Sequence, residues 1–275
     1  MNFCVRQLVA LSCHLQGALR SGRADPFFPE NPSCAFCESI TFSRRLPRLL
    51  TLGVPIWSRV SRTPDEWFAR AVEKRFEKAV IRHESTDSPQ FPDRISSAFV
   101  GGGGLWSLQL QRGNKTEHWF ANWHAAPDNR NPREDRRIWR VVYRAFRRQR
   151  YDPPAEDLSQ LAAELSTILS VMEGFATLHD LPPFARCFRE AQECLAADLP
   201  IESKYLKGLA PDGLLNSSSR RLMAAAQAAW VFGGMGSWND LGFMGADAGE
   251  YITLSQRLFD LLNRTICAAT NASQQ

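Results

Sequence analysis

The sequence predicts an α+β protein, with a small antiparallel sheet and a helix in the N-terminal half followed by a C-terminal helical bundle. Residues 105–123 alternate apolar with polar side chains, and residues 138–146 are rich in β-branched and aromatic types, which is typical of strands. Beyond Asp152, apolar residues recur at helical spacing instead. We therefore divide the chain into an α+β part, residues 1–150, with a loop-rich N-terminal segment, and a helical part, residues 151–275.

The first 60 residues carry weak signals. The N-terminal 16 residues predict an ordinary amphipathic helix and not an export signal, because Cys13-His14 cuts the apolar run. Residues 24–39 are rich in proline and small polar residues and predict a loop. Residues 48–57 form a short apolar run that predicts a strand.

A clear helix start follows at "TPDEW". Thr63 is a typical N-cap, Pro64 suits the first helical position, and Glu66 completes a capping box. Apolar residues continue at helical spacing, so this helix is expected to reach about residue 82. Residues 83–93 then predict a loop.

The alternating region predicts a β-hairpin. Polar residues around Gly113-Asn114 separate two runs of alternating character, and a short turn of this kind joins antiparallel strands. Residues 138–146, "IWRVVYRAF", predict a third strand, although the preceding Asn131-Pro132-x-Glu134 could instead start a helix.

The second part predicts four helices. The first carries an apolar stripe at helical spacing, formed by Leu158, Leu161, Ala162, Leu165, Ile168, Leu169 and Met172. Others are expected over about 184–197, after Ser217–Ser219, and over 250–269.

Composition excludes several classes of protein. About 44% of the 275 residues are apolar and eight are tryptophan, which indicates a globular chain. No uninterrupted apolar run reaches the roughly 18–20 residues needed to cross a bilayer. Seven cysteines, an odd number, argue against a disulfide framework and favour a reducing cytoplasm. Cys34 and Cys37 form a single C-x-x-C pair, and a zinc site usually needs two; plain thiols are therefore preferred over a metal site.

Charge is distributed unevenly. Residues 1–150 hold 25 Lys and Arg against 14 Asp and Glu, a net +11, whereas residues 151–275 hold 8 against 15, a net −7. Nine arginines lie within residues 130–150. They could form a solvated, salt-bridged face, contact an acidic protein, or bind nucleic acid phosphates.

Two glycine-rich stretches and two histidines are candidate sites. Gly101–Gly104 precede a strand, whereas phosphate loops follow one, so close backbone packing or a flexible entry to the strand is favoured over a nucleotide site or a mobile lip. The glycines of "WVFGGMGSWNDLGF" suit the close of a helix, with Trp238-Asn239-Asp240 forming a corner. His118 and His124 would share one strand face, which leaves an enzyme as a minor alternative.

Two stretches together resemble uncharacterised bacterial proteins that lie beside polymorphic or type VI secreted toxins. They are "GGGGLWSLQLQRGNKTEHWFANWH…IWRVVYR" and "WVFGGMGSWNDLGF…EYITLSQRLFDLLNRTICAAT", and the resemblance covers about residues 95–270. Those proteins are treated as immunity proteins. The resemblance rests on a glycine-and-tryptophan pattern and transfers no catalytic residue, metal or cofactor.

The resemblance implies a cytoplasmic, non-catalytic protein that covers the active site of a cognate toxin, which could be a nuclease. A toxin with a basic groove would favour the acidic C-terminal half, and an acidic toxin surface would favour the arginines of 130–150. The main alternative is a nucleic-acid-binding module that uses those arginines. Aromatic and Arg anchors commonly supply interface affinity, and the predicted interface residues are Trp106, Trp119, Trp123, Arg140, Arg144, Trp238 and Asp240.

Overall fold

The computed structural model describes residues 1–46, 56–86, 91–127, 136–197, 200 and 203–272. Over these ranges the chain is an α+β protein, as predicted, with one sheet in the N-terminal half and a helical bundle after it. The helices are α1 Phe3–Ser21, α2 Pro64–Glu73, α3 Asp93–Ser96, α4 Leu158–Leu178, α5 Pro182–Ala196, α6 Ser217–Ala228 and α7 Gly245–Asn271. The strands are β1 Cys37–Arg45, β2 Trp57–Ser61, β3 Lys78–Glu84, β4 Leu105–Arg112, β5 Lys115–Ala125 and β6 Trp139–Phe146.

The sheet is larger than the sequence predicts. Its strand order is β2-β1-β6-β5-β4-β3, and every neighbouring pair is antiparallel except β1 and β6, which run parallel. Strand β1 begins at Cys37, so the predicted loop over 24–39 is wrong at its end. The predicted strand over 48–57 lies mostly outside the described residues, and β2 begins at its last position.

The hairpin is confirmed. Arg112 pairs with Lys115, which leaves Gly113-Asn114 as a two-residue turn, and Gly113 has the positive φ of 49° that such turns favour. The third predicted strand is also confirmed as β6, which pairs with β5 through most of its length.

Helix α2 starts as predicted but ends nine residues early. The hydroxyl of Thr63 accepts from the Glu66 backbone N–H at 3.2 Å, and the Glu66 carboxylate accepts from the Arg62 N–H at 2.7 Å. After Glu73, Arg75 adopts a left-handed φ of 54° and the chain turns into β3. The expectation of a helix to residue 82 is wrong because residues 78–84 pair with β4, and this long-range pairing overrides local helical spacing.

The helical part follows its apolar stripes. Helix α4 buries Leu161, Leu165, Ile168, Leu169 and Met172 of the predicted stripe, and α5, α6 and α7 are present close to the expected positions. By length and composition α4 could also cross a membrane, in contrast to the expectation from uninterrupted apolar runs. In the structure its buried side packs against α5, α6 and α7, as in a helical bundle.

One continuous core joins the two parts. Helix α1 lies on the sheet against β3 and β4 and also contacts α2 and α7, so its middle is almost fully buried. Helix α7 reaches back to the edge of the sheet, where the Asn271 amide bonds both backbone groups of Ile81 at 3.0 and 2.9 Å. The predicted boundary near residue 150 falls in a segment without helix or strand, but apolar packing continues across it.

Candidate interaction surface on the open face of the sheet

The two faces of the sheet have different surroundings. Helices α1 and α2 cover one face, which we call the closed face. There Phe42 stacks on Trp67 at a centroid distance of 4.2 Å and on Tyr143 at 5.1 Å. Trp119 packs edge-on against Trp67 at 5.3 Å and is 1% exposed. Trp119 therefore belongs to the core, which corrects its prediction as an interface residue.

Among the described residues, the opposite face is left partly uncovered near β2, β1, β6 and β5. Because side chains alternate along a strand, the arginines of β6 lie on this side, and Phe120 of β5 stands opposite Arg144. Phe146 is 41% exposed and packs edge-on against Trp57 at 5.3 Å and Phe120 at 5.6 Å. We define the open face as Trp57, Phe120, Arg140, Arg144 and Phe146.

The chain leaving β6 covers the rest of this side. The Gln109 amide donates to the Tyr151 carbonyl oxygen at 2.6 Å and accepts from the Tyr151 N–H at 2.7 Å, and the Gln111 amide adds a bond to the same carbonyl at 3.2 Å. The Arg148 guanidinium lies 4.7 Å from the ring centroid of Phe120. Segment 147–151 therefore covers this side of β4, whereas β6 and β1 are not covered by it.

The arginines of the open face have different partners. Arg140 is exposed and holds Glu38 with two bonds of 2.9 and 3.0 Å, and this pairing raises the pKa of its guanidinium. Arg144 is half-buried and lies 5.1 Å from the ring centroid of Trp57, and its Nε finds no hydrogen-bond partner among the described residues. Exposed Arg59 lies on the same side, opposite Ser43. Arg144 is therefore a half-buried cation held on an aromatic ring, with its Nε shielded from solvent.

The other predicted tryptophans lie elsewhere. Trp106 and Trp123 are half-buried on the strand faces that point to the closed side. The Trp106 indole donates to the Gly103 carbonyl oxygen at 3.2 Å, and Trp123 packs edge-on against Phe3 at 5.5 Å. Neither joins Arg140 and Arg144 on the open face, so the structure divides the predicted set.

Trp238 and Asp240 form a structural corner. Trp238 is fully buried, and its indole donates to the Ser255 hydroxyl at 2.8 Å. It cannot contact a partner from this position, which corrects its prediction as an interface residue. Asp240 is exposed and accepts from the Gly236 N–H. The predicted corner is present as a short 3-10 turn over Trp238–Asp240.

The glycines before this corner do not close a helix, contrary to expectation. Helix α6 ends at Ala228, and its C-cap Ala229 keeps a right-handed conformation, so Gly233 and Gly234 lie in the connecting loop. The other glycine stretch is packed as predicted. A Cβ on Gly102 would overlap the carbonyl oxygen of Ser96, and a Cβ on Gly104 would overlap the His83 ring.

The histidines and the cysteine pair do not form a site with one another. His118 is buried under segment 147–151, and burial lowers its pKa, whereas His124 is exposed six residues further along β5. Cys34 and Cys37 are both buried, and burial raises the pKa of each thiol to about 12, which favours the protonated form over a metal-binding thiolate. Within the described ranges, no group of three His, Cys, Asp or Glu side chains could hold a metal ion.

Sequence reasoning missed Trp57, Phe120 and Phe146. The sequence could have placed Phe146 on the same face as Arg144, because residues an even number apart on one strand share a face. The same alternation places Phe120 on one face of the hairpin strand. Trp57 gave no such signal, since its strand reaches the arginines only through the pairing of β1 with β6. The chain matches no protein-family model, no curated protein and no solved structure.

Proposed function

We propose that this chain is a cytoplasmic binding protein that neutralises a cognate secreted toxin by covering its active site, without catalysis of its own. This proposal is carried by the open face, where Arg144 lies over Trp57 beside Phe146, which is 41% exposed. Trp and Arg are the residue types most enriched among energetic hot spots. The toxin link comes from the sequence resemblance over about residues 95–270.

The geometry favours an acidic protein surface as the partner. Arg144 presents a half-buried guanidinium held over the Trp57 ring, and exposed Arg59 lies on the same side. A carboxylate can accept from two guanidinium N–H groups at once, which adds orientation to attraction. The proposed contact therefore uses the basic N-terminal part, and the acidic helical part stays outside it.

Nucleic acid is the second candidate, because arginines and aromatic rings share one sheet face, a pattern that single-stranded RNA can use by stacking its bases. The packing argues against it. Phe120 is only 9% exposed, and the Arg148 guanidinium lies over its ring. Phe146 is in T-shaped contact with the rings of Trp57 and Phe120. Nucleic acid binding would also weaken steeply with salt.

The deciding experiment is co-expression with the product of the adjacent gene. We expect the neighbour to arrest growth alone, and this chain to restore growth and co-purify with it at one stoichiometry. A harmless neighbour that forms no complex would remove the toxin proposal. A titration with single-stranded RNA at two salt concentrations, run on the same preparation, separates the second candidate.

A further inference from the structure

A cleft lies between α7, the edge of β3 and the segment that leads into α4. Its volume is about 510 Å³, within the range of about 300–1,000 Å³ typical of small-molecule sites. Its walls include His83, Tyr151, Pro154, Asn216, Asn263 and Cys267. The cleft is at the opposite edge of the sheet from β2 and shares no residue with the open face.

Asn263 is the feature that points to a ligand. Its side chain is 1% exposed and lines the cleft, and neither its Nδ2 nor its Oδ1 has a hydrogen-bond partner in the described part of the chain. Two helical turns further along α7, Asn271 uses both amide atoms on the backbone of Ile81. Because buried amides are almost always bonded, Asn263 holds an unused donor and acceptor side by side in the cleft wall, and a ligand reaches them when the side chain turns toward the cleft.

The wall of the same cleft includes Tyr151, whose backbone and ring are both held in place. The Tyr151 backbone is fixed by Gln109, and the Arg82 guanidinium lies 4.6 Å from the Tyr151 ring centroid. Pro153 and Pro154 continue this wall. Such surfaces suit a planar ring, since rings of side chain and ligand gain most contact when stacked.

Charge at the rim is compensated within the protein. Arg264 holds Glu156 with bonds of 3.0 and 2.7 Å and Glu164 with a bond of 2.8 Å. The guanidinium is therefore engaged by two carboxylates and is not available to hold a phosphate. Since Asp260 adds a further carboxylate to the lining, the cleft suits a neutral ligand better than an anionic one.

We propose that this cleft binds a nucleoside through its base, with the Asn263 amide bonding an adjacent donor and acceptor on the base edge. An asparagine amide makes this two-bond contact with adenine, and other bases also carry a donor beside an acceptor. The volume admits one nucleoside and not an oligonucleotide. This site is independent of the toxin-binding proposal, because it uses other residues and another partner.

The test is isothermal titration of the full chain with adenosine, guanosine, cytidine and uridine, each to about 1 mM, where affinity is marginal. We expect at least one nucleoside to bind, and Asn263→Leu to weaken it at least tenfold, by about 1.4 kcal/mol or more. Gln192→Leu removes an amide from the surface of α5 and should change binding less than twofold.

A second measurement does not depend on a variant folding. For the nucleoside that binds, the analogue with its exocyclic amino group dimethylated, or its ring N–H methylated, loses the donor, and it should bind the wild-type chain at least tenfold more weakly. Equal binding by the analogue or by Asn263→Leu overturns the proposal. So does the failure of all four nucleosides to bind, which would assign the Asn263 amide to buried water alone.

Discussion

The closed and open faces of the sheet use the same kinds of side chain in different surroundings. On the closed face, Trp119 contacts other rings, and helices exclude water from the cluster. On the open face, Trp57 has an arginine over its ring and remains half-exposed. Aromatic content therefore does not identify a functional surface. A buried ring and an accessible ring are distinguished by the side chains that each contacts and by whether a helix packs over it.

The largest expected effect separates the two faces by stability. Trp119→Ala should lower the free energy of unfolding by about 3–5 kcal/mol, because it leaves a cavity in the packed core. Trp57→Ala should cost only about 1 kcal/mol, since it removes a partly solvated ring and one cation–π contact. Urea denaturation of both variants measures the difference, and equal losses would show that the open face is part of the core.

Binding should show the opposite order. Arg144→Ala is expected to weaken the proposed toxin complex by about 2 kcal/mol, or about 30-fold, while lowering the free energy of unfolding by no more than about 1 kcal/mol, since it removes the same cation–π contact as Trp57→Ala. Arg189→Ala is a matched control, because Arg189 pairs with Glu173 on the helical part, away from the sheet. Affinity measured by titration decides the matter: if both variants bind like wild type, the open face is not the interface.

The cover that segment 147–151 forms over β4 can be tested by changing Gln109. Gln109→Ala removes two of the three side-chain bonds that hold the Tyr151 backbone and leaves its N–H unbonded, and an unmet buried group costs about 1–3 kcal/mol. Asn122→Ala is the control, since Asn122 lies toward the open strands and bonds the Val142 carbonyl oxygen at 3.3 Å. Hydrogen exchange at residues 147–151 should rise in the first variant and not in the second.

The smallest effect is a pH dependence at His118. Burial lowers the pKa of His118 in the folded chain, so the unfolded chain takes up a proton first as the pH falls below about 6.5. The free energy of unfolding should therefore fall as the pH is lowered below that value, because protons then bind the unfolded chain more tightly than the folded one. His118→Gln should flatten the profile between pH 7.5 and 5.5, whereas His124→Gln, on the exposed end of β5, should follow wild type. Identical profiles for all three chains would contradict a buried neutral His118.

The candidate site was only partly predictable. Arg140 and Arg144 share strand parity, so the sequence placed them on one face correctly. Trp119 and Trp238 satisfied the same composition argument as surface anchors, yet both are buried. Exposure depends on which elements pack over a residue, and single-sequence patterns do not contain that information.

Local chemistry determined the elements whose signals lie close in the chain. The Thr63 cap and the turn at Gly113-Asn114 follow from backbone hydrogen-bonding needs within a few residues, and the apolar stripe of α4 follows from helical spacing. Tertiary structure decided the parallel pairing of β1 with β6, the switch from α2 into β3, and the cover over the closed face. These depend on contacts between residues far apart in sequence, whose gain outweighs local preference once the core is assembled.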